Sequence, residues 1–300
     1  MLDLLKKQVD VTSLSWFKTE AFAKYYFQID ELRDVNFLSN IYDFAKKNKL
    51  NVFFVGWWKN ILFWFYEYDW IIIKNNLKWY EYDQDLQQLT VFSGEMISDV
   101  AEYLENIYSN YIWHRFIWLP GSVWGAVAWN AWCFWLQTSD NFVWAYVYDI
   151  VEWKEKFLNP EQMQFSYRSS FLKQQPRYFL IKAKFDLSKK YEQYHSNVDN
   201  VYFRRHKQPQ WNSCGSFFKN PSKENPAWKL LEDFWFKGYY IGDAFFSDIH
   251  ANFLMTKKDY ANYNDLIVLA KTAQDLIYKN IGVWLQPEVG IIYNSPDKLV

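Results

Sequence analysis

Glycine is scarce in this chain: 9 of 300 residues, against 18 tryptophans, where ordinary glycine usage is about 7%. A domain with many turns normally holds more, because glycine alone enters left-handed backbone conformations without a steric cost. Cysteine is scarcer still. Cys133 and Cys214 are too few for a disulfide framework. With His114, His195, His206 and His250 they make no metal-ligand spacing, so no metal is expected. Long apolar runs are missing too. The most apolar stretch, Ile117 to Trp135, is broken by Pro120, Gly121, Ser122 and Asn130, so it is no membrane span of about 18 or more residues. Met1 to Val11 carries Lys6 and Lys7 and no apolar core of signal-peptide length. Charge of one sign is not in excess: the net charge is -1, which argues against a nucleic-acid partner. These absences together predict a soluble cytoplasmic protein with no membrane or nucleic-acid partner.

What is present is length enough for two or three compact units and an alternation of strand and helix patterns. Ala23 to Ile29 reads as a strand. Asp30 opens a helix to about Asn48, with Leu32, Val35, Leu38, Ile41, Phe44 and Ala45 at helical spacing. Asn51 to Val55 and Ile71 to Lys74 read as short apolar strands. Thr90 to Ser93 leads into a helix near Ser98 to Ser109, and Phe142 to Ile150 and Tyr178 to Phe185 are further strands. This pattern predicts an α+β unit over residues 1–187. Ser188 to Asn200 is polar and mixed in charge, a linker or a surface helix. Beyond it come a basic patch, Arg204 to Lys207, and a helix from Pro226 to Phe234. The clearest helix runs from Tyr263 to Asn280. Its apolar face is Leu266, Leu269, Ala270, Ala273, Leu276 and Ile277, with Gly282 past its end. Trp284 to Ile292 reads as a closing strand interrupted by Pro287.

Four stretches stand out as motifs: FVGWWKNIL (Phe54 to Leu62), WLPGSVWGAVAWNAWCFW (Trp118 to Trp135), FSYRSSFLK (Phe165 to Lys173) and KQPQWNSCGSFFKNP (Lys207 to Pro221). AWKLLEDFWFKGYYIGDA, HANFL and LQPEV follow in order, the last at Leu285 to Val289. In order and spacing, from about Ala23 to Ile292, they resemble the UDP-N-acetylenolpyruvoylglucosamine reductases, the MurB family. The resemblance implies a two-part FAD-binding domain of the vanillyl-alcohol-oxidase/p-cresol-methylhydroxylase type over 1–187. A smaller α+β substrate-binding domain would then cover 188–300.

The activity implied is reduction of UDP-N-acetylglucosamine enolpyruvate to UDP-N-acetylmuramate, with NADPH and FAD, in peptidoglycan precursor synthesis. On this resemblance the flavin is held by Gly56, Trp57, Trp58, Lys59, Asn60, Ile61 and Leu62. The second loop adds Pro120, Gly121, Ser122, Val123, Gly125, Asn130 and Ala131. The catalytic residues are Arg168, Ser216 and Glu288, with Tyr167, Lys207 and Asn220 toward the substrate, in a monomer that takes a UDP-sugar enolpyruvyl ether. A guanidinium suits a carboxylate on which enolate charge develops. A bare carboxylate would repel that enolate, so the role of Glu288 calls for a carboxyl kept protonated. Serine is a weak acid and needs nearby donors to deliver a proton. Gly290 departs from the family, which usually has arginine there.

Singly these residues have plainer readings. Arg168 is an ordinary surface arginine, Ser216 a turn residue beside Gly215, Glu288 an exposed strand edge and Lys207 part of a solvated patch. Cys214 reads as a small turn residue before a reactive thiol. Two other functions stay open: a flavin oxidoreductase of the same superfamily with another substrate, and a non-enzymatic protein whose tryptophans stack on sugars. The match of the second half to the substrate domain weighs against the first. The bunching of tryptophan at turn positions weighs against the second.

The tryptophans have their own pattern. Trp57, Trp58, Trp70, Trp79, Trp118, Trp124, Trp129, Trp132, Trp135, Trp211 and Trp235 fall on glycines of the family, with Trp153 a twelfth, whereas Trp228 and Trp284 fit aromatic positions. Repeated exchange of one residue type for its steric opposite points to translation: UGA codons meaning glycine and written as tryptophan. Real indoles at the flavin loops would fill the space of the flavin pyrophosphate and block FAD binding.

Overall fold

The protein is described by a computed structural model that covers residues 4–56, 60–188, 200–209 and 212–293. Two compact units divide it. The first comprises Met1–Lys6, Tyr25–Trp58 and Trp70–Arg204; the second comprises Lys7–Lys24, Lys59–Asp69 and Arg205–Val300.

The first unit is built on a five-stranded sheet in the spatial order Lys154–Leu158, Phe142–Asp149, Tyr178–Asp186, Gln88–Phe92, Tyr80–Asp83. All neighbours are antiparallel, with Ala145 opposite Ala183 and Ala183 opposite Val91. These three residues are buried, so one register line is a row of small side chains facing the core. Val52–Val55 runs parallel to Ile71–Lys74. The Phe53, Phe54, Val55 and Ile71, Ile72, Ile73 runs are buried without alternation, as parallel strands covered on both faces require. Helix Ile97–Tyr108 buries Ile97, Val100, Ala101 and Leu104 on one stripe.

The helix expected from Asp30 starts later. Asp34 accepts hydrogen bonds from the amides of Asp30 and Glu31, which tightens Leu32–Asn36 into a 3₁₀ turn; the α-helix proper is Phe37–Lys47. The segment expected as linker or helix lies, over 189–199, outside the described residues.

The second unit has an antiparallel sheet in the order Ser213–Ser216, Phe253–Thr256, Ala244–Phe246, Tyr240–Ile241. Its helices include Ala227–Asp233 and Tyr263–Ile281. Phe17, Leu62, Phe217, Phe218, Phe246, Leu254, Leu266 and Ala273 belong to one buried cluster. The long helix stops at Gly282, whose φ is +70 and whose amide bonds back to the Tyr278 carbonyl. Its buried face differs from the expected one. Leu276 is 42% exposed, while Ile267 and Gln274 are buried. Gln274 is inside because its amide donates to the Leu285 carbonyl at 2.7 Å. The closing strand is shorter than expected, Gly290–Tyr293, parallel to Ile61–Trp64. Pro287 has no N–H for a ladder and keeps only an isolated bridge with Phe218. Among the described residues no helix is long and apolar enough to cross a membrane.

Candidate active site

In the first unit the loop before helix Val123–Ala128 turns at Gly121, whose φ is +134. The Gly121 carbonyl accepts from Ile97 N, while Val123 N and Trp124 N donate to the carbonyls of Glu95 and Ser93. Ser122, fully buried before this helix, has no hydrogen-bond partner for its Oγ. A buried hydroxyl without a partner is uncommon, which makes Ser122 Oγ a candidate contact for a polar group. Asn60, in a stretch of the second unit, likewise has a buried Oδ1 without a partner. Each atom lies in a loop that the motif resemblance assigns to the flavin; the Ser122 hydroxyl can donate to a phosphate oxygen, and the Asn60 amide oxygen can accept from a hydroxyl. Trp57, Trp58, Lys59 and Trp211 lie outside the described residues.

Asn130 is a candidate flavin contact whose side chain is engaged within the protein. Its Nδ2 donates to Gln137 Oε1 (3.1 Å) and to the Ser166 carbonyl (3.2 Å), and its Oδ1 accepts from Ser139 N (3.0 Å). Asn130 therefore ties its own loop to the turn that carries Arg168. That turn is closed by two backbone bonds between Ser166 and Ser169. Ser170 Oγ adds a bond to the Ala128 carbonyl at 2.7 Å. Arg168 sits at φ +57, a left-handed conformation that costs a non-glycine residue about 1–2 kcal/mol. Lys173 Nζ holds it there through the Arg168 carbonyl at 3.0 Å. Strain of this kind persists where the surroundings over-determine it, commonly at functional sites. Tyr167 is exposed, with the Arg168 guanidinium 5.9 Å from its ring.

Backbone conformation sets apart four of the described tryptophans at family glycine positions, while Trp70, Trp79, Trp124, Trp129 and Trp132 of the same set have no positive φ. Trp118, Trp135, Trp153 and Trp235 have φ between +58 and +73. Trp16, Trp64, Trp113, Trp144, Trp228 and Trp284, outside the glycine-position set, have none with positive φ. Trp235 is 87% exposed. Trp124, by contrast, is buried against Phe54 and Phe179, so not every member of the set is a loop residue at the surface.

In the second unit Ser216 ends the strand Ser213–Ser216. Ser213 faces Met255 and Ser216 faces Phe253, so the first strand has one residue too many between the two pairs. This bulge passes through Cys214 and Gly215, and Gly215 takes φ +85 with open space around it. Burial pushes the Cys214 thiol up, against backbone hydrogen bonds with Trp16, Ile61 and Phe17 that lower it. An up-shifted thiol is unreactive, in keeping with a packing role. Beyond Ser216 the chain pairs with the Leu285–Val289 stretch: Glu288 N donates to the Phe217 carbonyl at 2.7 Å and Lys219 N to the Gln286 carbonyl at 2.9 Å. Glu288 is thus held beside the residue that follows Ser216, and it is 8% exposed. It is no exposed strand edge. Asn220 Oδ1 accepts from Ala227 N at 3.1 Å and so caps the Ala227–Asp233 helix; Lys207 is exposed at the end of the helix Asn200–Lys207. Among the described residues no three His, Cys, Asp or Glu side chains gather as metal ligands would. Asn252, Gln274 and Asn130 act in or beside these segments through contacts that no local sequence pattern announces.

Residues 207–292 match the family model for the C-terminal domain of UDP-N-acetylenolpyruvoylglucosamine reductase. A reductase of that name from Aquifex aeolicus is 29% identical over 97% of this chain and 96% of its own. One from Trichormus variabilis is 30% identical over 74% of this chain and 67% of its own. The crystal structure of the enzyme from Thermus caldophilus is similar in fold, with a TM-score of 0.74, 18% identity, and coverage of 96% of this chain and 99% of that one.

Proposed function

The chain belongs to the UDP-N-acetylenolpyruvoylglucosamine reductase family, and from that premise we infer an NADPH- and FAD-dependent oxidoreductase. It reduces the enolpyruvyl double bond of UDP-N-acetylglucosamine enolpyruvate, giving UDP-N-acetylmuramate for peptidoglycan. Its fold is α+β, a flavin-binding domain of the vanillyl-alcohol-oxidase type with a smaller substrate-binding domain. We propose the division of roles at 187/188, a monomeric state and a cytoplasmic location.

The proposed residue roles follow from the chemistry. When bound, FAD would supply hydride transfer from NADPH to the terminal carbon of the double bond. The backbone of Gly56, Pro120, Gly121, Val123, Gly125 and Ala131 would hold that cofactor, with Ser122 Oγ and Asn60 Oδ1 as side-chain contacts and Lys59, Ile61 and Leu62 in the same loop. As the carbon–hydrogen bond forms, the electron pair of the double bond moves onto the neighbouring carbon and into its carboxylate. Arg168 holds that carboxylate and offsets its growing charge. Ser216 gives its proton to the same carbon, and the proton on Glu288 steadies the enolate oxygen. Tyr167, Lys207 and Asn220 bind the rest of the substrate.

The strongest support is the 2.7 Å bond from Glu288 N to the Phe217 carbonyl, which couples the proposed acid to the residue after the proposed proton donor. The test is direct. The protein purified from its native host should absorb in the visible as a flavoprotein and turn over NADPH continuously only when the enolpyruvyl substrate is added. A flavoprotein that oxidises NADPH with other acceptors and ignores this substrate would refute the reading.

We further propose that the native chain carries glycine at the family glycine positions. The positive φ values of Trp118, Trp135, Trp153 and Trp235 support it, since an indole-bearing residue is a costly occupant of that region.

A further inference from the structure

We propose that Asn252 is a positioning residue for Ser216 and Glu288, its side chain standing in for an absent strand beside Phe218. The proposal rests on the roles given above to Ser216 and Glu288.

Phe217 to Lys219 is bonded along one edge to Gln286–Glu288. In antiparallel pairing alternate residues turn their N–H and C=O to the opposite edge, and here that residue is Phe218. A neighbouring strand would normally satisfy it. The Phe253–Thr256 strand stops short, because its pairing ends where Phe253 faces Ser216. The Asn252 side chain fills the gap. Its Oδ1 accepts from Phe218 N at 2.9 Å, and its Nδ2 donates to the Phe218 carbonyl at 2.8 Å. The Asn252 backbone carbonyl also accepts from Phe217 N at 2.7 Å. One residue, 2% exposed, thus makes three bonds to the two residues after Ser216.

The place matters because the register is weak there. The bulge at Cys214–Gly215 leaves Ser216 as the last paired residue of its strand, and a one-residue slip would turn its side chain to the other face. Only an asparagine side chain carries a peptide-like donor and acceptor at this reach. Glutamine sets the same group one carbon farther, and an ionised aspartate lacks the donor.

The test uses the flavin-loaded enzyme and its Asn252→Ala and Asn252→Asp variants. NADPH-driven bleaching of the flavin, which requires neither Ser216 nor Glu288, should keep the wild-type rate in both. Reoxidation by the enolpyruvyl substrate should slow by about 10²-fold in Asn252→Ala, the penalty of a small misplacement of a reacting group. In Asn252→Asp the lost rate, taken as a ratio to the wild-type rate at each pH so that the limb from Glu288 protonation cancels, should return as pH falls, because a protonated carboxyl again donates to the Phe218 carbonyl. Independently of turnover, the Phe218 amide should exchange its hydrogen faster in Asn252→Ala. Equal slowing of both half-reactions, or unchanged substrate reoxidation in a folded variant, overturns the positioning role. If Asn252→Ala does not fold, the pH limb of Asn252→Asp decides alone, and its absence overturns the role. A wild-type enzyme bleached by NADPH but not reoxidised by the substrate sinks the proposed function instead. The clamp is then judged by Phe218 exchange alone, and unchanged exchange in Asn252→Ala overturns it.

Discussion

At the scale of single residues, four tryptophans stand out by a positive φ: Trp118, Trp135, Trp153 and Trp235. Trp118 and Trp235 hold φ +64 with 42% and 87% exposure, so their indoles recover little burial energy for the strain. Trp118→Gly and Trp235→Gly should each stabilise the protein by about 1 kcal/mol, read from denaturant midpoints at constant slope. Loss of stability in both would argue that these tryptophans are native. The gene gives the same answer more directly, since UGG at these positions ends the glycine proposal and UGA supports it. Ser216 belongs to this scale as well. Ser216→Ala removes the proposed proton donor and no group proposed for the NADPH half-reaction. Its kcat should fall by about 10²–10⁴-fold while flavin bleaching by NADPH is unchanged. A small fall in kcat would mean that water or another group is the donor.

Two elements carry predictions of their own. The long helix Tyr263–Ile281 is stopped by Gly282 at φ +70, and a Cβ there would meet nothing within 4 Å. Gly282→Ala therefore tests backbone strain alone and should cost about 1 kcal/mol. A loss far above that would mean an unseen contact. The strand Phe142–Asp149 ends on a buried anchor. Asp149 Oδ2 is bonded by Lys156 Nζ at 3.0 Å and an Arg177 nitrogen at 2.7 Å, and Oδ1 takes the amides of Val151 and Glu152. Burial pushes the carboxyl up, but the Lys156 hydrogen bond, these amides and the Arg177 charge outweigh it and hold it below the usual carboxylate range. A depressed folded-state pKa gives stability that is full above the unfolded pKa and lost as pH falls through the folded one. Asp149→Ala should thus cost about 1–2 kcal/mol at neutral pH. The gap to wild type should shrink as pH drops below about 4. A gap that stays constant into acid would show that packing, not charge, is what the anchor supplies.

For the whole molecule the informative fact is that the second compact unit is assembled from three separated stretches. Phe17 and Leu62 sit in the same buried cluster as Phe217, Leu254 and Leu266. Thr256 Oγ1 donates to the Phe17 carbonyl, and the closing strand pairs with Ile61–Trp64. A fragment of residues 188–300 lacks all of these partners. It should show no cooperative thermal transition, although it contains the entire 207–292 family match. A sharp transition in that fragment would show that the core is sufficient without Phe17 and Leu62.

Strands and helices with strong local periodicity were legible from residues alone. Phe22–Ile29, Phe142–Asp149, Tyr178–Asp186 and Tyr263–Ile281 stand within a residue or so of where their patterns predict them, because burial of one face dictates the spacing of apolar residues. The motifs around Arg168, Ser216 and Glu288 were legible as a family resemblance, and the roles proposed for these residues rest on it. What tertiary structure alone decided is how those positions are held. Asn130 reaches Ser166, Asn252 clamps Phe218, and Gln274 catches the Leu285 carbonyl. Each pairs a polar side chain with a backbone group distant in sequence. Such partners obey hydrogen-bond satisfaction in the folded interior, which leaves no period or spacing in the chain to read.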